Sequence, residues 1–89
     1  MDSVWIFNGS NSRFSSGVFS SLEKAKKWIK ENKLTGVLTK YPIDEGTYHW
    51  AIRNDFFEVK KTNQSEPLFI QNLTSASQEH YHFENGEED

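Results

Sequence analysis

The sequence contains no cysteine among its 89 residues. Without thiols, the chain has no disulfide framework, no thiolate nucleophile and no zinc finger. It also has no apolar run approaching about 20 residues, and it does not open with a basic segment followed by an apolar one. We therefore expect neither a membrane span nor an export signal, and we predict a cytoplasmic protein with no membrane partner.

Hydrophobic residues are scarce as well, at 35% of the chain against the usual ~45–50%. Aromatic residues nevertheless reach 15%, and each ring can bury roughly 150–250 Å². The rings can therefore form a compact core, and such a chain is not typical of disorder. The length predicts one domain, which we place at residues 1–86, with a disordered acidic tail at residues 87–89.

Basic residues are absent from the last part of the chain. All ten Lys and Arg residues precede Glu79, whereas five of the thirteen acidic residues lie from Glu79 onward. The net charge of −3 argues against a general nucleic-acid binder. The acidic end segment is either a solvated tail or part of an acidic surface that meets a basic partner.

One amphipathic helix is predicted at about residues 21–32. Ser20 or Ser21 can cap its start, and the Ser20–Glu23 segment has the spacing of a capping box. The apolar residues that recur at helical spacing and form its buried stripe are Leu22, Ala25, Trp28 and Ile29. The lysines on the solvated side and just after the helix are Lys24, Lys26, Lys27, Lys30 and Lys33.

The rest of the chain is typical of short β segments. The predicted strands are Val4–Phe7, Arg13–Phe19, Leu34–Tyr41, Thr47–Ile52 and Gln78–Glu84, with Phe56–Val59 as a short extension. Lys60–Pro67 is predicted as the longest loop, and Leu68–Leu73 is open between a strand, which we prefer, and a short helix. A single helix cannot connect many parallel strands. We therefore predict an α+β fold, in which a mainly antiparallel sheet of about five strands carries the helix on one face, in the order β-β-α-β-β-(β)-β.

Two histidines, His80 and His82, lie two residues apart in the last predicted strand and point to the same face of the sheet. Their spacing of roughly 6–7 Å along the strand suits one metal ion. His49 would complete a three-histidine site if its strand were a neighbour. No supporting carboxylate is identifiable beside them, so we prefer histidines packed beside aromatic rings and predict no metal site.

Motifs of catalysis are absent from the sequence. It has no G-x-S-x-G elbow, no glycine-rich phosphate loop and no H-E-x-x-H pair. The acidic pair Asp44 and Glu45 lies in a predicted turn, where acids ordinarily serve as turn formers. The sequence therefore favours a protein without enzymatic activity and without a cofactor.

A half-exposed sheet face with aromatic, histidine and acidic side chains is typical of a surface that docks another protein. The candidate partner-binding residues are Tyr41, Asp44, Glu45, Tyr48, His49, Glu79, His80, His82 and Glu84. One alternative is a nucleic-acid-binding module that uses the lysines of the helix. Another is a small metal-dependent enzyme built on the histidines.

Several segments of the chain resemble a family of small bacterial proteins. The segments that carry the resemblance are Phe14–Phe19, Ala25, Trp28–Ile29, Leu34–Thr39, Tyr41–Pro42, Asp44–Gly46, Tyr48, Trp50–Ala51 and Ser75–Gly86. The resemblance spans residues 4–86 and implies a bacterial cytoplasmic domain, but the family has no assigned activity and so implies no catalytic residues. By analogy of size and charge, we predict a stoichiometric binder, such as an immunity protein that covers a basic toxin or nuclease.

Overall fold

The computed structural model describes residues 2–89 and confirms the α+β class with a five-stranded antiparallel sheet. The strands are β1 (Ser3–Gly9), β2 (Gly17–Phe19), β3 (Gly36–Pro42), β4 (His80–Glu84) and β5 (Glu87–Glu88). The helices are α1 (Leu22–Glu31), α2 (Thr47–Arg53) and α3 (Pro67–Asn72), with a 3₁₀ helix at Thr62–Ser65.

The described chain divides into two compact units. The first, here called the sheet unit, contains the described residues up to Ile43 together with Gln78–Asp89. It holds all five strands and α1. The second, here called the helical unit, is Asp44–Ser77 and holds α2, the 3₁₀ helix and α3.

The strands of the sheet unit lie in the order β2-β1-β3-β4-β5, and every neighbouring pair is antiparallel. One face of this sheet packs against α1 and forms the hydrophobic core. The buried members of the core are Trp5, Phe7, Ala25, Ile29, Leu38 and Phe83. Phe19, Leu22, Trp28, Leu34 and Tyr81 are half-buried around it.

Helix α1 has the stripe that the sequence predicts. Ala25 and Ile29 are fully buried, and Leu22 and Trp28 pack against the core. Ser21 is the N-cap, because its hydroxyl accepts a hydrogen bond of 3.4 Å from the backbone N–H of Lys24. This bond satisfies one of the free N–H groups of the first turn.

The predicted strand at Thr47–Ile52 is wrong, because this segment forms α2. Over its six positions, the apolar residues fit the two-residue period of a strand. The two residues that are buried, however, are Tyr48 and Ala51, whose spacing of three is that of one face of a helix. The side chain of Arg53 donates two hydrogen bonds to Glu45, at 3.0 and 2.6 Å. The segment is therefore not a strand of the sheet, in which β3 lies between β1 and β4.

Two further strand predictions in the helical unit are also wrong. The preferred strand at Leu68–Leu73 is α3, which Pro67 opens in the first helical position. Proline favours that position because it has no N–H to leave unsatisfied there. The short extension at Phe56–Val59 is not a strand in the structure.

Within residues 2–89, no helix has the length and the hydropathy needed to cross a lipid bilayer.

Candidate functional site

Strand β4 places its side chains alternately on the two faces of the sheet, as the sequence predicts. Tyr81 and Phe83 lie opposite Leu38 and Gly36 on the face that carries α1. The alternate residues of the strand point away from α1, and these are His80, His82 and Glu84. Their exposure rises toward the end of the strand, since His80 is half-buried whereas His82 and Glu84 are exposed.

The two histidine rings of β4 contact each other. Their centroids are 5.2 Å apart and their planes are nearly perpendicular. The Nδ1 atom of His80 lies 2.7 Å from the backbone carbonyl oxygen of Gln78 and therefore donates a hydrogen bond to it. Within residues 2–89, no third His, Cys, Asp or Glu side chain joins a group that could hold a metal ion.

A tight hairpin joins β4 to β5. Asn85 and Gly86 form its two-residue loop with φ values of 52° and 85°, the left-handed conformation that a type I′ turn requires. The N–H of Asn85 donates to the hydroxyl of Thr35 at 3.0 Å, and that of Gly86 donates to the carbonyl of Leu34 at 2.8 Å. Residues 87–89 were expected to form a disordered tail, whereas the structure places Glu87–Glu88 in β5.

The carboxylates of this hairpin have different surroundings. We call β4, the loop and residues 87–89 the acidic hairpin. Glu88 forms a 3.1 Å ion pair with Lys26 of α1. Within residues 2–89, by contrast, Glu84, Glu87 and Asp89 have no ion pair. Glu84 and Glu87 lie directly opposite each other, an arrangement of like charges that destabilises a strand pair.

The face of β4 toward α1 is held by a network around Tyr81. Its hydroxyl donates a 2.6 Å hydrogen bond to Glu79, and the ammonium of Lys26 lies 4.3 Å from the centre of its ring. The Trp5 ring lies on the same side, with a centroid distance of 5.8 Å. Glu79 and Glu88 are thus engaged within the sheet unit, whereas Glu84, Glu87 and Asp89 have no ion pair within residues 2–89.

The hydrogen bond to Glu79 raises the pKa of Tyr81 above its usual value, with desolvation and the charges of Glu79 and Glu88 as smaller causes. Because folding raises this pKa, the interaction contributes fully to the stability of the fold at a pH below the unfolded-state pKa of about 10. That contribution is lost as the pH rises through the pKa of the folded state.

We expect Glu79→Ala to lower the pH at which Tyr81 ionises. Absorbance titration of the phenolate at 295 nm measures this, and the Tyr81→Phe variant identifies which step belongs to Tyr81. An unchanged titration in Glu79→Ala would contradict the assignment.

The predicted site residues of the helical unit do not form an exposed aromatic surface. Tyr48 is only 5% exposed, and its ring packs against Phe57 and Phe69. Tyr48 is therefore not on an exposed surface, because the predicted strand that would have carried it is the helix α2. His49 is exposed on α2, with its ring 5.0 Å from that of Tyr48.

The remaining predicted residues lie before α2. Glu45 is held by Arg53, and this hydrogen bond is the main reason that the pKa of Glu45 lies below its usual range. Asp44 is exposed and has a φ of 62°, which is consistent with the turn role that the sequence indicates for it. Tyr41 lies in β3, half-buried and opposite Val4.

Glu87 and Asp89 are absent from the predicted set of site residues, although they lie on the acidic hairpin. The signal that would have found them is Asn85-Gly86, the dipeptide most typical of a two-residue β-hairpin loop. A strand pairing after this loop places Glu87 opposite Glu84. The acids of the predicted tail are thereby part of an ordered surface with His82 and Glu84.

The helical unit carries an open groove of about 680 Å³. Its apolar lining consists of Ile52, Phe56, Phe57 and Val59, and its polar lining of Asp55, Glu58, Lys60 and Gln64. None of these is a hydroxyl, thiol or imidazole side chain. The groove therefore offers neither the serine or cysteine nucleophile nor the histidine base that acyl transfer commonly uses.

Comparison with known proteins identifies the family of this chain. No curated protein and no solved structure matches the chain. The family model described as Domain of unknown function (DUF7710) matches residues 4–89. Because this match covers nearly the whole sequence, the chain belongs to the DUF7710 family.

Proposed function

We propose that this chain is a non-enzymatic protein-binding domain whose acidic hairpin docks a basic protein. The observation that carries the proposal is the cross-strand pair Glu84 and Glu87, neither of which forms an ion pair within residues 2–89. Both residues are exposed, so a Lys or Arg of another protein can reach them.

The energetics of the hairpin support this proposal. Two carboxylates directly opposite each other repel, and each opposite-charge pair on a sheet is instead worth roughly 0.2–1 kcal/mol. A cation placed between Glu84 and Glu87 would replace the repulsion by two attractions. The exposed ring of His82 lies on the same face and adds a flat contact surface next to this charge.

An immunity-type inhibitor of a basic toxin or nuclease, in the bacterial cytoplasm, is the specific form of this function that we propose. A nuclease needs Lys and Arg to bind phosphates, so its active-site surface is basic. A small acidic domain that covers this surface would block the substrate by charge and by volume, without any catalytic step of its own. Complementary charge also speeds association with such a partner.

The lysines of α1 offer less support for nucleic-acid binding. Lys26 already contacts Glu88 and the Tyr81 ring, so it is not free for a phosphate. Glu23 and Glu31 lie on the same helix and reduce the positive charge of its surface.

The proposal predicts that charge reversal in the hairpin releases the partner. We expect the tagged protein to capture a basic protein from extracts of its host in a one-to-one complex, as measured by native mass spectrometry. The double variant Glu84→Lys, Glu87→Lys should lose that complex, because two attractions become two repulsions.

The matched control is Glu23→Lys, Glu31→Lys, which makes the same change of net charge on exposed positions of α1. The control should retain the complex. If both variants release the captured protein equally, only net charge matters, and the acidic hairpin is not the binding surface. Retention of the complex by the hairpin variant would also contradict the proposal.

A further inference from the structure

The hydrogen-bond pattern of the acidic hairpin determines which backbone groups face its open edge. The N–H of Asp89 donates to the carbonyl of His82 at 2.9 Å, and Phe83 is the residue opposite Glu88. In an antiparallel pair, hydrogen-bonded and non-hydrogen-bonded residue pairs alternate. Phe83 and Glu88 are therefore a non-hydrogen-bonded pair, so the N–H and C=O of Glu88 point away from β4.

Strand β5 is an edge of the sheet, so these two backbone groups form an unpaired donor and acceptor. Within residues 2–89, no hydrogen bond from another part of the chain reaches either of them. An exposed edge of this kind is a template for pairing with a strand of another chain. Strand addition is an established mode of peptide recognition in which the backbone supplies the hydrogen bonds.

The side chains along this edge are all carboxylates, and they point alternately to the two faces of the sheet. Glu87 lies on the face that carries Glu84, and Asp89 follows two residues later on the same face. Glu88 lies on the other face, where Lys26 already neutralises it. The edge thus presents two carboxylates without an ion pair within residues 2–89, roughly 6–7 Å apart along the strand, on either side of the free backbone groups of Glu88.

We propose that the basic segment of the partner binds as a sixth strand, antiparallel to β5. One of its residues pairs with Glu88 through two backbone hydrogen bonds. The residues before and after that one are Lys or Arg and lie opposite Asp89 and Glu87. This proposal rests on the proposed function and specifies the partner segment as an extended basic-x-basic sequence.

The opposite edge of the sheet does not fit such a segment. Strand β2 consists of Gly17, Val18 and Phe19 and therefore offers no carboxylate. The nearest charged residue before it is Arg13, whose guanidinium lies 5.5 Å from the centre of the Phe14 ring. Of the two sheet edges formed by residues 2–89, the β5 edge is the one that combines unpaired backbone groups with charges complementary to Lys and Arg.

A pair of variants at Glu88 separates the backbone from the side chain. Glu88→Ala removes the ion pair with Lys26 but keeps the N–H group that points outward from the edge. Glu88→Pro removes the ion pair and also this N–H group. The N–H of Glu88 is not part of the β4–β5 ladder, and proline is tolerated on edge strands in such positions. The probe is a fluorescein-labelled heptapeptide, Thr-Val-Lys-Val-Lys-Val-Thr, and the measurement is its dissociation constant by anisotropy at low salt.

We expect Glu88→Pro to bind this peptide about two- to tenfold more weakly than Glu88→Ala, which corresponds to the loss of one backbone hydrogen bond. N-methylation of the central valine of the peptide should weaken binding to a similar extent. An isomeric peptide with its two lysines adjacent should bind more weakly, because adjacent strand residues point to opposite faces. Equal melting temperatures of the two variants verify that both are folded.

Two results would overturn the strand-addition proposal. In the first, Glu88→Pro and Glu88→Ala bind the heptapeptide equally, and the two peptide isomers also bind equally. The attraction would then be purely electrostatic, and the proposed function would still hold. The other is no binding of the heptapeptide while the basic protein partner is still retained. If Glu84→Lys, Glu87→Lys also retains that partner, the proposed function itself fails.

Discussion

Phe7→Ala is expected to destabilise the protein by about 3–5 kcal/mol. Phe7 is 2% exposed at the centre of the core, and its ring packs edge-on against Trp28 with a centroid distance of 5.7 Å. Removing the ring loses its buried area and leaves a cavity between the sheet and α1. Because small domains are stable by only about 5–15 kcal/mol, urea denaturation should show a large fall in the midpoint.

The matched control for this prediction is Val18→Ala in β2. Val18 is 65% exposed, so its truncation should change the free energy of unfolding by no more than about 0.5 kcal/mol. The milder change Phe7→Leu should fall between the two and keeps the comparison usable if Phe7→Ala does not fold. Similar stabilities for Phe7→Ala and Val18→Ala would mean that the core lies elsewhere.

Gly36→Ala is expected to have the second largest effect, a loss of about 3 kcal/mol. Gly36 lies opposite Gly9 and Phe83 at the start of β3. A Cβ atom there would run into the carbonyl oxygen of Asn8 and would lie 2.8 Å from Cζ of Phe7. The carbonyl belongs to the backbone of β1, so the two strands must separate to make room.

Gly46→Ala provides the comparison for Gly36→Ala. Gly46 precedes α2 with a φ of −74°, which any residue adopts, and no atom lies within 4 Å of the position of an added Cβ. Its replacement should change stability by less than about 1 kcal/mol. A Gly36→Ala variant as stable as Gly46→Ala in urea denaturation would contradict the close approach of β1 and β3.

The sheet unit could largely be predicted from the sequence, because its signals are local and strong. The helical stripe of α1 contains Ala25 and Ile29, which are the two residues of the helix that the structure buries completely. Continuous runs of β-branched and aromatic residues likewise predict β1 and β3. The order of the strands could not be predicted, since pairing depends on contacts between residues far apart in the sequence.

The helical unit shows where sequence patterns become ambiguous. In a segment of six residues, Tyr48, Trp50 and Ile52 fit a strand, while Tyr48, Ala51 and Ile52 fit a helix equally well. The ion pair joins Glu45, just before α2, to Arg53, the last residue of the helix, and it supports the helical alternative. Such a contact becomes visible only when the segment is already folded.

Part of the candidate site was predictable as well. The predicted alternation of the last strand correctly placed His80 and His82 together on the face of β4 that points away from α1. The expectation of a disordered tail differs from the structure at Glu87–Glu88, which pair with β4 after the Asn85-Gly86 loop. The burial of Tyr48 could not be predicted, because it depends on contacts of its ring with Phe57 and Phe69 in an aromatic cluster.

Hydrogen–deuterium exchange tests the central claim, that the acidic hairpin is the binding surface, most directly. The exchange of the protein alone is compared with that of its one-to-one complex with the captured basic protein. We predict that complex formation slows exchange mainly in residues 80–89, with the amide of Glu88 changing from unprotected to protected. Protection confined to α1 or to the helical unit, with unchanged exchange in residues 80–89, would contradict the account.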